Sequence, residues 1–438
     1  LGGSFIEISK YAFVLDNENG YITLFSGLYG SVVRIKNDLL NDIIKNLKDF
    51  RETSASAYEA IKTLLEAKIL VESEEEEQKF FERAINALKN RREIDLLVNT
   101  TRRCNMNCIY CYEQKEHKDL DERTIKRIPT FIKWLSERKE ANKLLVGFFG
   151  GEPLLRTDLI DRVLNEIGGL EEEMRIRVGL ITNGTLLSRR VVQLLARYDI
   201  AMIQVTLDGP REVHNSRRPL ISGRGSYDLI LKNLTNTVDA IPLLQIRINV
   251  DRENLNNCMG LLDDLEDLGL KRPNVRLYFA RVYAATSTNA KYRSKCLWED
   301  YSQLTELALQ AKRRGFEVFF NPYPKPRYLY CAAFTGTHFV VDSNGDLYPC
   351  LGGIGHQEYK VGNILLEEFF DSYNIYNWMN RSPLVLDPCS TCIYAPLCGG
   401  GCGSESLGYN GDLRIPVCPP NKFIWDARFI PLRELLKL

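Results

Sequence analysis

Thr101-Arg102-Arg103-Cys104-Asn105-Met106-Asn107-Cys108-Ile109-Tyr110-Cys111-Tyr112 sets three thiols at a CxxxCxxC spacing, directly after the β-rich run Ile94 to Val98. Three thiolates in one loop can hold three irons of a [4Fe-4S] cluster and leave the fourth iron open, whereas a closed structural zinc site takes four ligands. Three buried cysteines, or a zinc site completed by a remote fourth ligand, are the competing readings. What lies around the loop bears on that choice.

From Glu93 to about Ala280 short β-rich runs alternate with amphipathic stretches. The runs are Ile94 to Val98, Leu144 to Phe149, Ile176 to Ile181, Met202 to Leu207, Leu244 to Val250 and Val275 to Phe279. Helical periodicity falls near 122–138, 156–168, 188–198, 226–239 and 255–268, which is the signature of a parallel sheet. Six such units imply an α/β fold, a partial (β/α)6 TIM barrel over 93–320, with its chemistry where loops leave the C-terminal strand ends. The distinctive residues fall at those points. Gly150-Gly151-Glu152-Pro153 follows the second run, Thr182-Asn183-Gly184 ends the third, and Thr206-Leu207-Asp208-Gly209 ends the fourth, followed by His214, Arg217 and Arg218. Taken singly, Gly-Gly-Glu-Pro is a tight turn, Asp208 a turn carboxylate and the arginines solvated loop charges.

A second set of seven cysteines lies in the tail: Cys331, Cys350, Cys389, Cys392, Cys398, Cys402 and Cys418. Thirteen residues separate Cys331 from Gly345, and four more precede Cys350; then come Cys389-x2-Cys392-x5-Cys398-x3-Cys402 and, after fifteen residues, Cys418. Zinc is the alternative reading of a CxxC pair with further cysteines. Residues 321–438 are rich in Cys, Gly, Pro and Tyr, and are expected to bury little apolar core and to depend on metal for order.

The first loop and the Gly150 to Pro153 segment together resemble those of radical S-adenosylmethionine (SAM) enzymes, and the second cysteine set resembles the SPASM extension of peptide and protein maturases. The resemblance implies SAM bound at the open iron through Gly150, Gly151, Glu152, Thr182, Asn183, Asp208 and Arg217, although Arg218 is an equal choice. Asp208 is the one side chain offered for a catalytic role. It implies three [4Fe-4S] clusters: one on Cys104, Cys108 and Cys111, an outer auxiliary cluster on Cys389, Cys392, Cys398 and Cys418, and an inner one on Cys331, Cys350 and Cys402. Two fully protein-ligated auxiliary clusters need eight cysteines, and seven are present. Either the inner cluster keeps an open iron for a substrate thiolate, or Cys296, less favourably Cys258, completes it.

Residues 1–75 read as a winged-helix-like unit, joined by a helical connection over 76–92. A strand pair, Tyr11 to Asp16 and Tyr21 to Phe25, meets across Asn17-Glu18-Asn19-Gly20; helices at Asn37 to Phe50 and Ser56 to Ala67 and a short strand at Lys68 to Glu72 follow. This pattern is similar to domains that clasp leader peptides as an added strand, though it also suits a structural cap or a DNA-binding module. Lys+Arg and Asp+Glu both number 57, so no global charge favours nucleic acid. No apolar run suggests a membrane span, and Leu1-Gly2-Gly3-Ser4 does not open a secretory signal. With twelve cysteines and no export signal, a cytoplasmic location with reduced thiols is expected.

The function expected is formation of thioether cross-links in a ribosomally made precursor peptide through a 5′-deoxyadenosyl radical, with flavodoxin or ferredoxin as electron donor. A carbon–carbon bond is the nearest alternative. Anaerobic sulfatase maturases share the SAM and SPASM parts, but the roughly ninety residues before Glu93 argue against that reading. A non-enzymatic iron–sulfur or zinc scaffold would have no use for Gly150-Gly151-Glu152 beside an incomplete cluster.

Overall fold

In the N-terminal unit, β1 (Glu7–Ile8), β2 (Ala12–Glu18), β3 (Tyr21–Ser26) and β4 (Val32–Lys36) precede α1 (Asn37–Lys45) and α2 (Ala55–Glu66), and β5 (Leu70–Val71) returns to pair antiparallel with β1. This computed structural model describes residues 6–47, 55–297, 302–319, 325–418 and 430–431. Leu1 to Ser4, the end of the helix expected to reach Phe50, the residues around Trp298 and the Asn321 to Pro324 segment therefore lie outside the described residues. Strands β2, β3 and β4 form an antiparallel meander. A small core of Val14, Leu24, Ile35, Leu40, Ile43, Ile61 and Leu64 joins the meander to the two helices. The sequence reading had not marked β4 as a strand.

Helix α3 (Glu74–Lys89), capped by the Ser73 side chain accepting from the Glu76 backbone N–H, leads into the barrel. There β6 (Glu93–Asn99), α4 (Glu122–Lys139), β7 (Lys143–Phe149), α5 (Thr157–Ile167), β8 (Arg175–Thr182), α6 (Arg189–Leu195) and β9 (Asp199–Thr206) alternate. After them come α7 (Arg211–Arg217), α8 (Tyr227–Thr237), β10 (Leu244–Val250), α9 (Leu261–Asp267), β11 (Val275–Arg281), α10 (Ser302–Arg313) and β12 (Glu317–Val318). All seven strands pair parallel to their neighbours. Adjacent residues, which point to opposite faces, are buried together, as in Phe148 and Phe149 or Phe279 and Ala280, which parallel strands under helices require. Helix α4 shows the matching helical logic: Ile125, Ile128, Ile132 and Leu135 are buried at three- and four-residue steps. The six expected β/α units are present, and β12 adds a short seventh strand.

The tail departs from the expectation of a region with little core. β13 (His338–Val341) pairs parallel with β6, and β14 (Asp346–Tyr348) and β15 (Gly362–Asn363) continue antiparallel, so the barrel sheet runs on into the cysteine-rich part. Phe334, Phe339, Tyr348, Tyr359 and Trp378 are buried within the main core. Helices α11 (Ser372–Asn380), α12 (Ala395–Cys398) and α13 (Gly403–Asn410) carry or flank the cysteines. Finally, β16 (Ile430–Pro431) returns to the N-terminal unit and pairs with the outer edge of β2. No helix among the described residues is long and apolar enough to cross a membrane.

Candidate active site and cluster-binding cysteines

The cysteine loop leaves the C-terminal end of β6 and is held from the next strand by backbone contact. Gly151 N–H donates to the Thr101 carbonyl over 2.9 Å and Glu152 N–H to that of Arg103 over 2.8 Å. A Cβ at Gly150 (φ +152°) would stand 2.3 Å from the Thr101 carbonyl oxygen, and one at Gly151 would stand 2.4 Å from that of Arg103. The paired glycines are thus required by close backbone approach.

Glu152 is fully buried, and its carboxylate is already committed. One oxygen accepts from Thr182 Oγ1 (2.7 Å) and Leu154 N–H (3.0 Å), the other from Asn183 N–H (2.7 Å). Burial pushes its pKa above the ordinary carboxylate value, and these bonds pull it back. Asn183 in turn donates from Nδ2 to Asn105 Oδ1 over 2.8 Å. Glu152 therefore fastens the ends of β7 and β8 to each other, while Asn183 ties them to the residue after Cys104.

Opposite lies a buried polar network. Asp208 accepts from Tyr110 Oη (2.6 Å), Arg217 Nε (3.1 Å) and the Asn249 N–H (3.2 Å). Arg217 also pairs with Asp251, at 2.8 Å, and Asp251 accepts from Tyr292 Oη over 2.5 Å. Arg217 is thus saturated by two carboxylates. Arg218 differs: Nη1 donates to Tyr110 Oη over 2.9 Å, its charge faces Cys108, and its buried Nε has no partner among the described residues. Of the two arginines, Arg218 has the spare donor for an anionic ligand. His214 is buried beside both, and burial holds its pKa well below the usual histidine value, so it stays neutral. Its Nδ1 accepts from the Asp208 N–H over 3.3 Å.

Burial pushes the Cys104 thiol up to about 11 and that of Cys111 up to about 12. Such thiols stay protonated until a cation takes the proton's place. The tail cysteines sort into two electrostatic neighbourhoods: Cys389 feels Cys418, Cys398 and Cys392, whereas Cys402 feels Cys350 and Cys331. Those are the two sets that the sequence resemblance implies. All-thiol donor sets suit iron–sulfur clusters or zinc. Among the described residues no three His, Cys, Asp or Glu side chains are drawn together around a single ion. Sets made of thiols alone, three in the first loop and seven in the tail, are the donor chemistry of iron–sulfur clusters, so the residues present fit that group.

A cavity of about 470 Å³ is lined by the inner thiols Cys331, Cys350 and Cys402, by Cys398, and by Tyr278 to Arg281 and Tyr283 at the C-terminal end of β11. Neither Cys296 nor Cys258 lines it. Cys296 is packed with Tyr110, Val282, Ala284 and Tyr292, and Cys258 lies in the main core beside Gly209.

Several residues of this site were passed over in the sequence. Tyr110, Asn249, Asp251 and Tyr292 complete the Asp208 network, and of these Asp251 carried a signal, since it directly follows β10. Glu113, two residues after Cys111, is buried, and burial pushes its pKa up to about 8.

Residues 98–277 match the radical SAM superfamily. The matched stretch takes in the cysteine loop at the end of β6 and the ends of β7, β8 and β9, so it is the barrel that carries the radical SAM match, with SAM and a [4Fe-4S] cluster as the cofactors that match implies. The chain is also similar to peptide cyclases and maturases. PqqA peptide cyclase of Rhodopseudomonas palustris is 26% identical over 346 residues, 74% of this chain and 86% of the relative. The Streptococcus suis SuiB structure bound to precursor peptide SuiA shares the fold at a TM-score of 0.55 and 15% identity, over 94% of this chain and 98% of that one. Native anSMEcpe with bound AdoMet matches at a TM-score of 0.56 and 18% identity, over 71% of this chain and 89% of its own. The 94% coverage leaves too few residues outside to omit the N-terminal sheet unit, so the SuiB likeness takes in all three parts.

Proposed function

We propose that this enzyme modifies a ribosomally made precursor peptide and joins a cysteine sulfur to a backbone or side-chain carbon. SAM, bound at the first cluster, supplies the 5′-deoxyadenosyl radical that removes a hydrogen atom from carbon. Gly150 and Gly151 offer backbone groups to SAM, Thr182 and Asn183 line its place, Arg218 pairs with its carboxylate, and Asp208 with Arg217 and Glu152 hold the loop in shape. The resulting bond would cost the peptide two hydrogens, one taken as a hydrogen atom and one lost as the thiol proton, and the auxiliary cysteine sets would hold the groups that take up the one remaining electron.

The observation that carries the thioether reading is the inner cysteine set. Cys331, Cys350 and Cys402 share a cavity with the barrel's β11 end and with Cys398, which the resemblance gives to the outer set, and neither spare cysteine reaches it. An iron left without a protein thiol there suits a substrate thiolate. The leader docks as an added strand on β4, because the outer edge of β2 already carries β16. A small flavodoxin or ferredoxin supplies the electron.

Anaerobically reconstituted enzyme, SAM, reductant and a cysteine-containing peptide encoded beside the gene test this reading. Loss of two hydrogens with one cysteine no longer alkylatable is expected. The relation to a peptide cyclase favours a second outcome, loss of two hydrogens with every cysteine still free, which would assign a carbon–carbon link and overturn the thioether.

A further inference from the structure

Arg381, just past the end of α11, is only 3% exposed, an unusual state for an arginine without a carboxylate partner. Its Nη2 donates to the Gly400 carbonyl (2.8 Å) and to Ser406 Oγ (3.0 Å), and its guanidinium stands over the Phe334 ring. Gly400 lies in the turn between Cys398 and Cys402. Nε and Nη1 are buried with no partner among the described residues. Burial lowers the guanidinium's pKa, and Cys389, Cys402, Cys331 and Cys398 act against this. Two of those thiols belong to each auxiliary set. Gly400 lies between Cys398 of one set and Cys402 of the other, so the cation that bonds its carbonyl sits where the two sets meet, with two N–H groups that lack acceptors among the described residues.

Buried donors are almost always satisfied, and leaving one unmade costs about 1–3 kcal/mol, more for a charged group. The acceptors missing among the described residues are ones that sulfide and thiolate sulfurs would provide once clusters are in place. We propose that Arg381 is a positioning residue shared by the two auxiliary clusters, donating to their sulfurs and raising the reduction potential of both. A nearby positive charge and N–H donors favour the more negative, reduced cluster, and hydrogen bonds to sulfur are a recognised lever on potential. The placement lets both clusters accept the electron that peptide oxidation releases.

This rests on the reading of the two cysteine sets as clusters, which is tested on the unmodified chain first. Iron content and EPR spectra after full reduction must show two auxiliary clusters; their absence overturns that reading and the role of Arg381 with it. Given the clusters, Arg381→Met and Arg381→Lys are compared by EPR-monitored redox titration in a chain whose Cys104, Cys108 and Cys111 are changed to Ala, so that only auxiliary signals remain. Arg381→Met is expected to lower both potentials at unchanged iron content. The expected change is roughly tenfold in each reduction equilibrium, about 59 mV for one electron. A merely structural arginine would affect iron loading or melting but not the potentials of loaded clusters. Unchanged potentials, or a shift in one cluster alone, overturn the proposal. If Arg381→Met does not load iron, Arg381→Lys decides: its single ammonium cannot serve both sides, so at least one potential moves, and two unchanged potentials refute the assignment.

Discussion

Tyr110 donates its phenolic O–H to the Asp208 carboxylate over 2.6 Å, joining the residue before Cys111 to the turn that follows β9. Ninety-eight residues of chain separate the two, so this bond fixes the cysteine loop against the fourth strand's end. Tyr110→Phe leaves a buried carboxylate oxygen short of one donor, and a loss of about 1–3 kcal/mol is expected. Thermal unfolding should record the destabilisation. The iron bound at the first cluster, read by EPR with and without SAM, should fall with it, whereas auxiliary signals should persist.

Breaking the pair from the other side should cost more. Asp208→Ala leaves Arg217 buried beside Asp251 alone, and removal of one partner from a buried pair costs about 3–5 kcal/mol. Denaturant titration of the loaded enzyme would measure it. A change below about 1 kcal/mol would mean that Asp208 is not the anchor described above.

Arg217 and Arg218 should separate in a binding experiment. Arg217 has both carboxylates, so Arg217→Lys is expected to lower stability with a smaller effect on SAM affinity. Arg218→Lys removes the spare, buried Nε donor and is expected to weaken SAM binding about tenfold, the worth of one charged hydrogen bond. Anaerobic calorimetry on reconstituted enzyme compares the two, and the reverse ranking would assign SAM's carboxylate to Arg217.

That distinction shows where the sequence stops informing. The six strand runs announced themselves because each sets aliphatic or aromatic residues at alternate positions, as in Leu244, Ile246, Ile248 and Val250, and the loop at the end of β6 carried its spacing in plain view. Arg217 and Arg218 are neighbours in sequence, yet one closes α7 in helical geometry and the other turns away at φ −133°, ψ 57°. Nothing in one dimension reports that difference. Strand β4 stayed hidden for another reason: only Val33 and Ile35 of its five residues face the core, so its apolar alternation is just two residues long. The β13–β6 pairing joins His338 to Asp95 across most of the chain, and it explains why a tail that reads as core-poor shares the barrel's core.

The glycines of the second strand's loop make a sharper test. Gly150→Ala drives a Cβ into the Thr101 carbonyl, which neither backbone can yield without moving the cysteine loop. Loss of SAM-dependent EPR change and of SAM cleavage is expected, with the auxiliary clusters retained. Gly169→Ala, where an added Cβ meets nothing within 4 Å, should behave as wild type. Equal behaviour of the two variants would contradict the close approach.

Phe13 offers the last test, because it links the N-terminal sheet unit to the second cysteine set. Its ring lies 5.3 Å from that of Tyr394, between Cys392 and Cys398, and it packs with Phe25 and Leu397 in a small core common to the N-terminal sheet and the cysteine turn. Since Phe13, Phe25 and Leu397 are all fully buried, Phe13→Ala should cost about 3–5 kcal/mol. Part of that cost falls on the outer cluster's loop, as the cavity opens beside α12. Outer-cluster iron should therefore drop while the first cluster keeps its SAM-responsive signal. Limited proteolysis should release the N-terminal unit sooner. If proteolysis accelerates but outer-cluster EPR is unaltered, the sheet is only resting on that loop; if both change together, the N-terminal sheet also holds the loop of the second cysteine set in place.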